Sequence, residues 1–381
     1  MDTTIRTAAH NSIATHFGML EDPRVVGRSD HDLLDILTIA ILAVICGAKG
    51  WEDIEDWAID HDAWLRTFLR LRNGIPQHDC YRRVFAALDP VGFAQSFTQW
   101  MQALVGSTAG KLVAIDGKTM RRSFDHARGR SALHVVSAWV AANGVSLGQV
   151  VTDAKSNEIT AIPALLDLLD IRGAVVSIDA MGCQKAIASK IADRGADYLL
   201  ALKDNHPTAH QEVATYFADA IGTPTVHSHT STDGGHGRVE VRRVHVTTDV
   251  AWFADRAEWK GLKSFVMVES ERHVGTKVQR ESRYFLCSLM TTDAAAMGVY
   301  VRDHWSIENS LHWTLDVTFR EDDCRIREGH GPQNFALLRK LALVLLKRTP
   351  FGRRSLTQRQ KLADRNYDYL LSVLAAGSQG F

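Results

Sequence analysis

This chain has few cysteines and places none of them together. The five (Cys46, Cys80, Cys183, Cys287 and Cys324) are odd in number and widely scattered, with no C-x-x-C pair. That spacing excludes a disulfide framework and a zinc knuckle, and it predicts a reducing compartment. Charge of either sign is not in excess: 44 Lys plus Arg balance 44 Asp plus Glu. A surface that attracts nucleic acid must then come from local segregation of charge. Long hydrophobic runs are missing as well. The greasiest, ILTIAILAVICGA (36–48), has 13 uncharged residues closed off by Asp35 and Lys49. A membrane span needs about 20, so this run reads as a buried helix and no membrane partner is expected. The N-terminus shows no signal-peptide pattern. A P-loop is excluded because DGKT would need glycine at 112, where Leu112 stands. His227 and His229 have no nearby Cys pair to complete a zinc site.

What remains is an ordinary globular composition, 45% hydrophobic and 23% charged over 381 residues. That length suits about two domains. Residues 1–106 read as a helical block, its main helix capped at Ser29 or Asp30 and its tryptophans (Trp51, Trp57, Trp64) at near-helical spacing. The Ile75-Pro76 break before Tyr81, Arg82 and Arg83 loosely fits a helix-turn-helix. After STAGK the period changes. KLVAID (111–116), ALHVVSAWVA (132–141) and VSLGQVVT (145–152) read as strands, with Asn143-Gly144 as the tight turn between the last two. A helix (158–170), a strand (173–182), a helix and a strand (197–203) follow. Residues 225–290 alternate like strands and sit as a β-rich insertion between parts of one α/β domain, 107–224 and 291–350; 351–381 form a C-terminal tail.

Three acids stand out. VAIDGK and VSIDAM share one form, so Asp116 and Asp179 end two strands expected in one sheet. If the strands are neighbours, the carboxylates emerge at one edge, where they repel unless one is protonated or a cation lies between them. Mg²⁺ suits such oxygen ligands. A lone strand-end Asp is more often a turn or helix cap. Glu308, in HWSIENSLHW, has Trp305 at i−3, His312 at i+4 and Leu315 at i+7, which places it on or beside a stripe meant for burial. A salt bridge to Arg302 or His304 is the plainer account of Glu308. Glu321, Asp322 and Asp323 form a rival acidic cluster that reads as a solvated turn.

The wording of several long stretches is more specific. GIPQHDCYRRVFAALDP, AIDGKTMRRS, DAKSNEITAIPALL, IDAMGCQKAIA, DYLLALKDNH, GHGRVEVRR and HWSIENSLHWTLDVTFREDDCRIREGHGPQNFALLRKLAL run from about residue 20 to 347. Together they resemble the ISAs-type, H-repeat-associated bacterial insertion-sequence transposases of the DDE superfamily. The resemblance implies an RNase H-like (integrase-like) α/β catalytic core with a β-rich insertion behind a helical N-terminal domain. Asp116, Asp179 and Glu308 match the DDE triad. The positions of the broader group's Tyr, Arg and Lys around its Glu are held here by Val301, His304 and Leu315. Which basic side chain (Arg302, His304 or Arg320) meets the DNA backbone therefore stays open.

The implied activity is cutting of phosphodiester bonds at element ends, followed by joining of 3′-hydroxyl ends to target DNA, both by two-metal catalysis. The cofactor would be Mg²⁺, with Mn²⁺ as substitute. Partners would be terminal inverted repeats and target DNA, met by a homodimer when DNA-bound in the bacterial cytoplasm at the nucleoid. Lys118, Arg121 and Arg122 behind the first acid, Lys203 and Asn205 after the fifth strand, His236 and Arg238 in the insertion, and Arg302 and His304 before Glu308 are candidate DNA contacts. For each basic group a solvated face is the plainer account. A catalytically silent DNA-binding relative and a metal-dependent nuclease of the same fold are the alternatives.

Overall fold

A computed structural model describes residues 13–25, 27, 29–124, 129, 131–152, 158–235 and 238–378. The buried apolar run forms α1 (Leu33–Cys46), capped not by Ser29 or Asp30 but by Asp32, whose carboxylate accepts the Leu34 N–H at 3.1 Å. Asp32 is the last polar side chain from which a carboxylate can reach the free N–H groups of the first turn. α2 (Trp51–Asp60), a single turn at Asp62–Leu65, α3 (His78–Ala87) and α4 (Pro90–Val105) complete the N-terminal helical block. No single helix among the described residues is long and apolar enough to cross a membrane.

The catalytic-core pattern is borne out strand by strand. β1 (Leu112–Thr119), β2 (His134–Val140) and β3 (Val145–Thr152) are antiparallel. Gly144 makes the β2–β3 turn at φ +64°, a conformation that glycine adopts without a Cβ penalty. α5 (Glu158–Leu168) carries the chain to β4 (Val175–Ile178), parallel to β1, and α6 (Lys185–Asp193) carries it to β5 (Asp197–Leu202), parallel to β4. α7 (Pro207–Ala220) leads into the block expected as an insertion: β6 (His227–Gly235), β7 (Arg238–Thr247), β8 (Ser264–Val274) and β9 (Lys277–Cys287).

These four strands do not form a body of their own. β9 pairs antiparallel with β5, from Leu199 against Cys287 to Leu202 against Tyr284, giving one nine-stranded sheet in the order β3-β2-β1-β4-β5-β9-β8-β7-β6. The unpaired edge of β5 is thereby covered, which satisfies backbone groups that would otherwise stand open. The inner ends of β7–β9 (Val244, Val246, Val266, Val268, Phe285, Cys287) are buried with Leu112, Val175 and Leu199 under α8 (Ala294–His304).

On the other sheet face a continuous core joins the N-terminal helices, β2, β3 and α9 (Gly331–Arg348). The segment expected as a tail is folded into α10 (Leu356–Arg365) and α11 (Tyr367–Ala375), with α10 packed against α1. Aromatic contacts fasten the chain's two ends together. Trp64 stacks on Tyr367 at 4.5 Å, Trp51 meets Phe335 edge-on at 5.0 Å, and the Trp100 indole donates to the Gly377 carbonyl at 2.6 Å. The tryptophans of the helical block are thus core residues, and Tyr81 is fully buried beside them. Arg82 is held by Asp79 and by Glu328.

Candidate active site

Ile115 and Ile178 are register partners across the parallel pair β1–β4. Asp116 and Asp179, one residue further along, therefore stand at the same level, Asp179 just past the end of β4. Asp116 does not end its strand as expected, because β1 runs on to Thr119 paired with β2. Close packing explains two glycines here. A Cβ on Gly117 would collide with the buried His134 and Glu158, which contact each other, and a Cβ on Gly182, three residues after Asp179, would strike Ile178 and Ile162. Asp179 caps the short turn Ala180–Gly182, accepting the Met181 N–H at 3.1 Å and the Gly182 N–H at 3.4 Å. Asn205 donates to the Ala180 carbonyl at 2.5 Å, and His206 bonds the Cys183 carbonyl at 2.7 Å. The end of β5 thus braces the turn that positions Asp179.

Glu308 arrives on a π-helical turn, Ile307–His312, between α8 and Trp313–Val317. Ile307 and Leu311, four apart, point inward, while Glu308, exposed, and His312, likewise four apart, address Asp116. π-turns are rare and concentrate at functional sites. This one is held from outside: the Trp139 indole donates to Ser306 Oγ at 3.0 Å, and Lys347 donates to the Ser310 carbonyl at 2.8 Å. The α-helical spacing expected around Glu308 is corrected accordingly. Trp305, placed by that spacing on the buried stripe, is 41% exposed and stacks under Arg283 at 4.5 Å.

One ligand atom each from Asp116, Glu308 and His312 lie within 4.8 Å of one another. His312 Nδ1 is 3.4 Å from Asp116 Oδ2. Burial, with the neighbouring Glu308 and Asp179 charges adding to it, pushes the Asp116 carboxyl up to about 7. Its Oδ2 is buried and has no hydrogen-bond partner among the described residues. Burial, helped by the positive charges of Lys340 and Lys118, pushes His312 down to about 3, so its ring is neutral. His312 was not singled out from the sequence; its i+4 spacing from Glu308 was the available signal, and it was read as helix packing.

The basic candidates fare differently. Lys118 is only 13% exposed and is taken up by Asp316, by Glu321 at 2.9 Å and by Asp322 at 3.4 Å, so it is not free for phosphate. Burial pulls its ammonium down, but Glu321 and Asp316 more than offset this and raise it. Glu321, expected in a solvated turn, is buried; Lys118, Arg339 and Lys340 outweigh its burial and hold its carboxyl low. His304 is likewise turned inward. It bonds Ser177 Oγ at 2.9 Å, and burial, with Arg283 nearby, drops it to about 4. Arg121 is 81% exposed beside Asp322, and Arg122 is exposed near Asp323. Lys203 and Arg238 are exposed, and Arg302 is exposed with one nitrogen 2.9 Å from Asp233. His236 lies outside the described residues.

Comparison with known proteins shows the chain's family. The family described as "Transposase DDE domain" matches residues 107–345, and one described as "DDE_Tnp_1-associated" matches residues 14–101. The "H repeat-associated putative transposase YhhI" of Escherichia coli K12 is 39% identical over 367 residues, covering 94% of this chain and 97% of that protein. The "Putative transposase YncI" of Escherichia coli O157:H7 is 40% identical over 374 residues, covering 97% of this chain and 95% of that protein. A piggyBac transposase from a synaptic complex with hairpin DNA aligns at 11% identity with a TM-score of 0.42, covering 95% of this chain and 77% of that one. The chain belongs to the DDE transposase family, alongside the H repeat-associated transposases.

Proposed function

We propose that this chain is the DNA transposase of an insertion sequence, cutting phosphodiester bonds at the element's ends and joining the freed 3′-hydroxyls to target DNA. The observation that carries this reading is the convergence of Asp116 and Glu308, with Asp179 at the same level of the sheet, on a buried Asp116 oxygen that has no hydrogen-bond partner among the described residues. A carboxyl pushed up to about 7 by burial and by other acids is a group whose charge is uncompensated within the chain. The divalent metal that the family implies fits this donor set, and Asp116, Asp179 and Glu308 would hold it. Mg²⁺, or Mn²⁺ in its place, would supply activation of the attacking oxygen and neutralisation of phosphate charge.

The chain's own groups do the rest. Asn205 and His206 fix the turn that presents Asp179. Trp139 and Lys347 fix the π-turn that presents Glu308. Arg121 and Arg122, on the loop after β1, are placed to hold phosphate near the acids, with Lys203 at the end of β5 as a further contact. A groove lined by Arg242, Arg280, Arg283, Arg302 and Trp305 runs between the outer strands and α8 to Asn309, next to Glu308. Its arginines are paired with Asp233, Glu240, Glu271 and Glu281, pairs that DNA phosphates would have to replace for the groove to carry DNA toward the acids. Arg238, at the open end of β7, would extend that track.

The test is Mg²⁺- or Mn²⁺-dependent cleavage of DNA carrying the flanks of this protein's own coding region. Wild type should cut at the element ends and Asp116→Asn should not. A folded wild type that binds those ends without cutting them would instead identify a silent DNA-binding relative. Cutting without strand-transfer products would identify a nuclease.

A further inference from the structure

The geometry points to His312 as a direct ligand, through Nδ1, of the divalent ion held by Asp116 and Glu308. The inference rests on the reading of those acids as metal ligands and adds an imidazole to a site otherwise built of oxygen.

Three features support it. The separation of His312 Nδ1 and Asp116 Oδ2, 3.4 Å, is too long for a good hydrogen bond between a ring nitrogen and a carboxylate. It suits two ligands of one ion: groups about 2.1 Å from a shared metal stand about 3.4 Å apart at a tetrahedral angle and about 3.0 Å at an octahedral one. Next, Asp116 Oδ2 is buried without a hydrogen-bond partner among the described residues. An imidazole whose task was to orient Asp116 would donate to that oxygen, and it does not. Finally, the π-turn brings Glu308 and His312 onto the face that meets β1, so that the three ligand atoms lie within 4.8 Å of each other. The groups facing the ring from other elements are Lys340 on α9, Lys118 on β1, His134 on β2 and Glu321.

An imidazole ligand shifts preference toward transition metals and away from Mg²⁺, which takes oxygen donors almost exclusively. The experiment loads the metal-free full chain with Mn²⁺ and measures pulsed EPR, with calorimetric titration of Mn²⁺ and Mg²⁺ alongside. The wild type should show ¹⁴N coupling from one directly bound imidazole, replaced by ¹⁵N coupling when the histidines are labelled. His312→Gln should lose the coupling. Its Mn²⁺ affinity should fall by roughly ten-fold or more, and its Mg²⁺ affinity by less. Mn²⁺ bound in an Asp116-dependent way without nitrogen coupling would overturn the imidazole ligand and leave the acid site standing. A folded chain that binds no Mn²⁺ would overturn both readings. The wild-type spectrum decides the question even if His312→Gln does not fold.

Discussion

Ile115 of β1 and Ile178 of β4 face each other across a parallel pair, and the aspartate after each stands at the same level. Two short stretches 63 positions apart are brought side by side by the α5 crossover between their strands. The chemistry of the site begins with that pairing.

Asp116→Asn, Asp179→Asn and Glu308→Gln should each abolish end cleavage while leaving the far-ultraviolet circular dichroism unchanged. Asp116→Asn should in addition melt no lower than wild type without metal, because it removes a buried charge that other acids oppose. A substituted protein that still cuts at the wild-type rate takes that residue out of the catalytic set.

Asp116 should also make stability depend on pH. Its folded pKa, about 7, lies above its ordinary 3.8, so the folded state holds a proton that the unfolded state has released. Between those values the unfolded state binds fewer protons, and the stability of the metal-free protein falls as pH rises. Melting temperatures in chelator from pH 4.5 to 8 should show the fall in wild type and a shallower one in Asp116→Asn. Since the same proton competes with metal, Mn²⁺ affinity should climb toward pH 7 and then level off. Parallel melting curves for the two proteins would reject the shift.

Lys118 and its neighbours Arg121 and Arg122 should separate by experiment. Lys118→Met strands the buried Glu321 and should cost about 3 kcal/mol in urea unfolding. Arg121→Ala with Arg122→Ala should leave stability within about 0.5 kcal/mol. The double variant should reduce the salt slope of DNA binding by about 2. A salt slope unchanged from wild type would return both arginines to the solvated surface.

Asn205→Ala releases the Ala180 carbonyl at the turn presenting Asp179. Cleavage turnover should drop while stability falls only about 1 kcal/mol. If Asn205 instead serves as a DNA contact, the substitution will weaken DNA binding and leave single-turnover cleavage of bound DNA intact.

The neighbouring Ile-Asp strands and the α/β order were legible because apolar strands and turn residues leave local marks, although Asp116 lies within β1 rather than at its end. Gly144 and the repeated Ile-Asp-small motif are of that kind. Other features depended on partners far along the chain. Lys118 finds Asp316, Glu321 and Asp322 about two hundred positions later, and no local pattern announces such a pairing. His312 shares a helix face with Glu308 by its i+4 spacing, but such a spacing marks packing as readily as ligation, and only its approach to Asp116 on a distant strand tells them apart. The β-rich block was legible as strands, but its attachment to β5 is a matter of edge pairing that composition does not carry.

The clasp between the chain's two ends has a consequence for synthesis. α1 has its packing partners in α9 and α10, some three hundred residues further on. Contacts so distant in sequence form slowly, and their loop-closure entropy must be met before burial rewards it. At the usual pace of translation the first helix waits roughly fifteen seconds to a minute for the surface that covers it. During that interval the nascent chain carries an uncovered greasy helix, a natural target for a chaperone.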